Sequence, residues 1–105
     1  MDQSTKEAGK TMAIISYITW IGLLIAFIMN NDKQNSFAKF HIGQSIRVAI
    51  LGIANYALAW VLPSSLGFIT NIISLLVIVL WILGIVNAIN LKETPLPVIG
   101  TIGDK

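Results

Sequence analysis

The sequence predicts an all-α integral membrane protein, a bundle of three transmembrane helices. Residues 48 to 91 contain no charged side chain, and a second uncharged run covers residues 11 to 31. Hydrophobic residues make up 55% of the 105-residue chain and charged residues 11%, against about 25% charged in soluble domains. A bilayer core about 30 Å thick requires about 20 apolar residues in a helix. Each uncharged run is therefore long enough to cross a membrane.

The boundaries of the helices follow from the polar and turn-forming residues between the runs. Pro63 and the two serines after it end one helix, and so short a connection makes the flanking helices antiparallel neighbours. An earlier polar connector ends at Ser36, which is expected to cap the helix that follows. We predict one domain, 1–105, composed of a polar mobile tail at 1–10, helices at 12–30, 37–62 and 66–91, and an apolar tail at 92–105 that lies on the membrane or against the bundle.

The second predicted helix has an amphipathic start and an apolar remainder. Residues 44–62 are assigned to the span, as are residues 68–91 of the third helix. Phe37 and Phe40 alternate with basic side chains, which is typical of a turn bound at the membrane interface, and this turn is expected to continue into the span without a break. Arg47 is expected to extend its guanidinium toward water.

Charge sets the predicted orientation. Seven basic residues against five acidic ones give a net charge of +2, too weak and too scattered to indicate a nucleic-acid partner. With three spans, Lys6 and Lys10 lie on one side and the other five basic residues on the opposite side. Since basic residues concentrate on the cytoplasmic side, we expect the N-terminus outside and the C-terminus in the cytoplasm.

The sequence predicts no enzyme, no cofactor and no metal site. All five acidic residues lie in the tails or the connector, so they do not converge within the bundle. There is no cysteine, and His41 is the only histidine. We expect His41 to be an interfacial or packing residue.

Polar side chains on the second helix are the candidates for interaction. Gln44 and Asn55 point within about 20° of each other at 100° per residue. These two side chains could line a groove or pore. Alternatively, Asn55 could form a hydrogen bond to another helix, and we favour this interpretation. The full set of interaction candidates is Phe37, Phe40, His41, Gln44, Arg47 and Asn55. The small residues expected to let helices approach closely are Gly22, Ala26, Ala49, Gly52, Gly84 and Ala88.

Two elements of the sequence resemble a family of small bacterial membrane proteins. The first is Phe37-Ala38-Lys39-Phe40-His41-Ile42-Gly43-Gln44-Ser45, and the second is the segment that runs from Asn87-Ala88-Ile89-Asn90 to Leu96-Pro97-Val98-Ile99-Gly100. The family, often called import-component-like, is related to the twenty-kilodalton subunit of the protein translocon of the inner chloroplast envelope. The resemblance covers about Ile14 to Gly100. It implies a non-enzymatic, multi-pass protein of the bacterial inner membrane; the chloroplast relatives are described with four spans, one more than predicted here.

These observations predict a small subunit or accessory factor of a membrane protein complex, related to protein translocation. Its expected partners are the lipid bilayer and either other membrane proteins or further copies of itself. Two alternatives stay open: a homo-oligomeric channel, which a polar face along an oligomer axis would favour, and an immunity-type protein that protects a membrane target.

Overall fold

The computed structural model describes residues 2–18 and 20–102, and over those residues the chain is all-α, as predicted. No strand occurs in these two stretches. The elements are α1 (Gln3–Ile18), α2 (Trp20–Lys33), α3 (Ser36–Val61), a short 3-10 turn (Ser64–Leu66) and α4 (Gly67–Ile89).

The prediction of a single transmembrane helix at 12–30 is wrong, because this part of the chain forms two helices, α1 and α2, that lie side by side. A Cβ atom added to Gly22 would collide with the carbonyl oxygen of Ile15, so the two segments fold back on each other as a helical hairpin. At 1.5 Å per residue, α1 and α2 are about 24 and 21 Å long, shorter than a hydrocarbon core of about 30 Å. Among the described residues, two segments, not three, are long and apolar enough to cross a membrane: Ser36–Val61 and Ser64–Ile89.

The predicted mobile tail at 1–10 is also wrong, since α1 begins at Gln3. The Asp2 carboxylate accepts hydrogen bonds from the backbone N–H of Thr5 at 2.8 Å and the hydroxyl of Ser4 at 3.2 Å. Hydrogen bonds from the side chain and backbone of Thr5 lower the pKa of the Asp2 carboxyl. An ionised carboxylate at this position stabilises the first turn of the helix.

The connector between α2 and α3 joins the N-terminus to the same end of the bundle. Asn35, and not the predicted Ser36, caps α3 by accepting from the backbone N–H of Ala38 at 2.9 Å. Its side-chain amide donates to the carbonyl oxygen of Thr5 at 3.0 Å. The N-terminus and the connector, which were predicted at opposite ends of a first span, therefore lie at the same end of the bundle.

α3 runs without a break through residues 37–44, as predicted, but the first aromatic residue of that stretch lies inside the bundle. Phe37 is fully buried against Ala13 and Tyr17 of α1 and Ala88 of α4. The expectation that Phe37 lies at the membrane surface is thus wrong, since α1 covers it. α4 returns antiparallel to α3 after Pro63, as predicted.

The molecule is elongated, measuring 51 × 26 × 23 Å. At one end, here called the basic end, lie both ends of the α1–α2 hairpin, the start of α3 and the end of α4. The basic end carries Lys6, Lys10, Lys33, Lys39 and Lys92. The opposite, distal end is the turn at Pro63–Leu66. The α1–α2 hairpin reaches only part of the way to the distal end, so the distal half of α3 packs mainly on α4.

Candidate functional site

The last part of the described chain, residues 92–102, forms a strap across the basic end. Its buried anchors are Leu96 and Ile99, which pack against Val48 of α3 and Leu80 of α4. Burial of a side chain of this size contributes about 1.5–3 kcal/mol. The tail at 92–105 was predicted to lie either on the membrane or against the bundle, and its described part lies against the bundle.

His41 is the first of three polar side chains of α3 that bind the strap. Its Nε2 lies 2.7 Å from the carbonyl oxygen of Lys92, and its Nδ1 lies 2.8 Å from the hydroxyl of Tyr17. Because a carbonyl oxygen only accepts, Nε2 carries the proton and Nδ1 accepts from Tyr17. The rings of Phe37 and Phe40 meet the imidazole edge to face, with centroids 4.7 and 5.1 Å away. His41 is therefore a satisfied packing residue, one of the two roles expected for it.

Gln44 binds the strap through both ends of its side-chain amide. Nε2 donates to the carbonyl oxygen of Gly100 and Oε1 accepts from the backbone N–H of Leu96, each at 2.9 Å. Only 2% of Gln44 is exposed. A Cβ atom at Gly100 would lie 2.8 Å from Oε1 of Gln44 and would collide with the backbone of Leu96, so this position requires glycine. The two sequence elements behind the family resemblance thus contact each other directly.

Arg47 completes the row by donating from Nε to the carbonyl oxygen of Ile102 at 2.9 Å. His41, Gln44 and Arg47 follow one another at three-residue intervals, and each binds a different carbonyl group of the strap. Nearby, the hydroxyl of Ser45 donates to the carbonyl oxygen of Ser16 and ties α3 to α1. Three of the six predicted interaction candidates therefore bind the strap.

Asn55 lies in the distal part of α3 and binds α4. Its Nδ2 donates to the hydroxyl of Ser74 at 2.8 Å and to the carbonyl oxygen of Thr70 at 3.3 Å. This is the hydrogen bond to a neighbouring helix that the sequence analysis favoured. The other amide atom, Oδ1, is buried and has no hydrogen-bond partner among the described residues. A buried unpaired acceptor of this kind costs about 1–3 kcal/mol.

A groove opens where the short hairpin ends beside α3 and α4. One cavity of about 580 Å³ lies between the hairpin tip and α3, and a second of about 470 Å³ includes Asn55 and Ser74. The two cavities share Gly52, Tyr56 and Val77, so they form one continuous surface, here called the distal groove. Its walls are mostly apolar, and Asn55, Thr70, Asn71 and Ser74 are polar residues in the wall of the second cavity.

The six predicted packing residues divide between the bundle core and the distal groove. Gly22 and Ala26 are buried at the contact between α1 and α2, whereas Gly84 and Ala88 are buried against α1. Ala49 and Gly52 instead line the distal groove. A Cβ atom at Gly52 would meet only Val77, at 3.9 Å, so no helix approaches closely there.

Sequence reasoning missed Tyr17, Trp81 and the glycine of the strap. The Trp81 indole N–H donates to the carbonyl oxygen of Tyr17, close to the end of α1. A tyrosine within an apolar run was the available signal, because a buried phenol needs a partner. Its partner, His41, is distant in sequence, and only the parallel packing of α1 on α3 brings the two together.

Within residues 2–18 and 20–102, no three His, Cys, Asp or Glu side chains are grouped so that they could hold a metal ion. Comparison with protein-family models, curated proteins and solved structures produced no match to this chain.

Proposed function

We propose that this chain is an integral membrane protein with two spanning helices, α3 and α4, and a hairpin, α1–α2, that enters from the basic end without crossing. The two long segments are mostly exposed: 22% of the most apolar window of Ser36–Val61 and 17% of that of Ser64–Ile89 is buried. A core helix of a soluble protein would be largely covered. Large side chains such as Trp60, 77% exposed, need an apolar solvent.

The basic end then faces the cytoplasm. All five lysines named above lie at that end, and the stretch from Val48 to Leu91, which includes the distal end, has no charge. Because basic residues concentrate on the cytoplasmic side, this orientation has the N-terminus and the start of the strap at Lys92 on that side. This orientation keeps the predicted cytoplasmic C-terminus and moves the N-terminus to the same side.

Within the membrane, the chain acts as a small, non-enzymatic subunit or accessory factor that binds a transmembrane helix of another membrane protein in the distal groove. The observation that carries this proposal is the distal groove itself, an open and mostly apolar surface with the polar side chains of Asn55 and Ser74 in its wall. Asn55 lies about 12 Å along the helix axis from either Arg47 or Pro63, at 1.5 Å per residue, and so near mid-membrane. An acyl chain has no hydrogen-bond donor, whereas a polar side chain of a partner helix does.

The partner helix is expected to present small residues and one donor toward Asn55. Gly52 and Ala59 lie about one turn to either side of it on the same wall and leave room for close approach. The family resemblance adds that such a partner belongs to a protein-translocation complex. A channel lined by both Gln44 and Asn55 is less well supported, because the strap covers Gln44.

Site-specific photo-crosslinking in native membranes tests this proposal. A photoreactive amino acid at Ala59, in the distal groove, is expected to give one dominant adduct with a second membrane protein. The matched control is Ile50, which is 61% exposed and, at 100° per residue, lies on the opposite face of α3. That position is expected to crosslink mainly to lipid.

Asn55→Leu should weaken the adduct formed at Ala59, because it removes a polar side chain from the groove wall while leaving the helix apolar. An adduct with a second copy of this chain would instead support the homo-oligomeric alternative. Equal yields of protein adducts from positions 59 and 50 would contradict the proposal.

A further inference from the structure

We propose that the pocket between the end of α2 and the start of α3 binds one anionic phospholipid, with its phosphate at Lys39. This inference goes beyond the binding of a protein partner and rests only on the membrane placement given above. Failure of that placement would be visible separately, as loss of the protein from the membrane fraction.

The pocket has a polar rim and an apolar floor. It encloses about 310 Å³, at the lower end of the range for small-molecule sites, which suits a headgroup and the first part of one chain. The rim consists of Asn31, Gln34 and Lys39, and the floor includes Phe27, Ile42 and Ile46. This is the polarity of a lipid at the interface, with its charged group outward and its chain inward.

The depth of the pocket agrees with that of a headgroup. Its rim lies at the basic end, where the connector between α2 and α3 meets the solvent. Ile42 and Ile46 follow Lys39 along α3 by about 4 and 10 Å, at 1.5 Å per residue, toward the distal end. A phosphate at Lys39 would thus direct its acyl chain into the hydrocarbon layer.

A second basic side chain, Arg47, lies beside the pocket that Lys39 lines. Gly43 lines the pocket, and a Cβ atom added there would lie 3.4 Å from Nη1 of Arg47, so the guanidinium lies over this part of α3. Lys39 and Arg47 therefore flank Gly43 by one turn on either side. None of the residues that line the pocket is acidic. A monoanionic phosphate fits this charge distribution.

Gln34 orders the rim of the pocket. Its φ of 54° is the left-handed conformation that commonly ends a helix, and its backbone N–H donates to the carbonyl oxygen of Asn30 at 2.7 Å. Its side chain donates to the carbonyl oxygen of Asn31 across the pocket rim. These two bonds hold the polar rim in place beside Lys39.

Lipid titration followed by native mass spectrometry in a neutral detergent tests the proposal. Dioleoylphosphatidylglycerol should bind the wild-type chain at one saturable site and at least fivefold more tightly than dioleoylphosphatidylcholine. Lys39→Gln should weaken the anionic lipid about fivefold, the effect of one interfacial cation. The matched control Lys33→Gln removes the same charge at the same end but outside the pocket, and should change affinity less than twofold.

Gly43→Leu keeps all charges and should abolish saturable binding by filling the floor. Because only the end of Arg47 lies near the added Cβ, the fold is expected to persist, which circular dichroism of the variant would verify. Equal losses in Lys39→Gln and Lys33→Gln, or unchanged binding in Gly43→Leu, would overturn the proposal. Inorganic phosphate at lipid concentrations should not displace the lipid; displacement would assign the site to free phosphate and refute a lipid site.

Discussion

Gln44 is expected to hold the strap on the bundle, and its removal should release residues 96–102. Gln44→Ala leaves the N–H of Leu96 and the carbonyl oxygen of Gly100 without partners in a buried site. An unpaired buried group costs about 1–3 kcal/mol, so two cost about 2–6 kcal/mol. Because the strap can shift toward water, we expect a loss of about 2–4 kcal/mol in the free energy that holds it closed.

Hydrogen exchange read by mass spectrometry measures this opening directly. A loss of 2–4 kcal/mol corresponds to about 30- to 700-fold faster exchange, since 1.4 kcal/mol is a factor of about ten. The change should be confined to strap amides, including that of Gly100, which donates to the carbonyl oxygen of Leu96 at 3.0 Å. The distal part of α4 should exchange as in the wild type.

Gln3→Ala is the matched control, because the exposed Gln3 donates only to Glu7, one turn along α1. It should leave exchange in the strap unchanged. Gly100→Ala should also open the strap, because it disrupts the same contact from the strap residue. Its effect and that of Gln44→Ala should therefore not be additive. Wild-type exchange rates in Gln44→Ala would refute the argument that these two hydrogen bonds secure the strap.

Three further substitutions test the packing of the hairpin and the connector. Gly84→Ala should destabilise the fold by about 1–3 kcal/mol in a thermal or denaturant melt, because the new Cβ atom collides with the ring of Tyr17. The control Gly67→Ala should not destabilise it, because no atom lies within 4 Å of a Cβ atom added at that position. Gln34→Gly should stabilise the fold by about 1 kcal/mol by relieving the left-handed conformation, and a melt at or below the wild-type temperature would contradict this. The first turn of α1 should fray as pH falls below about 4, because the Asp2 carboxyl has a lowered pKa and stabilises the helix only while it is ionised. Hydrogen exchange of the Lys6 backbone amide, which donates to the carbonyl oxygen of Asp2, measures this fraying, and Asp2→Asn should remove its pH dependence.

The α3–α4 pair was predictable because its signals are local. A proline between two long uncharged runs ends one helix and starts another, whatever surrounds it. The reversal between α1 and α2 was not predictable in the same way. The run from 11 to 31 contains no proline, and its length suits one span as well as it suits part of a hairpin.

The strap was unpredictable for a different reason. Its apolar anchors and its glycine are visible in the sequence, and so are the polar residues of α3. Their pairing depends on Lys92, Gly100 and Ile102 presenting carbonyl groups at the spacing of His41, Gln44 and Arg47. The position of a backbone carbonyl group cannot be inferred from a single sequence. The row formed by His41, Gln44 and Arg47 was therefore interpreted as a surface that binds other molecules.

The central claim is that the hairpin α1–α2 enters and leaves the membrane on the side of the basic end. The chain contains no cysteine, so single substitutions at the exposed residues Ser4, Ser36 and Ser64 each introduce one label site. Membrane-impermeant maleimide should label Ser4→Cys and Ser36→Cys only from the cytoplasmic side, and Ser64→Cys only from the other side. Labelling of Ser4→Cys and Ser36→Cys from opposite sides would establish a first spanning helix and contradict the account.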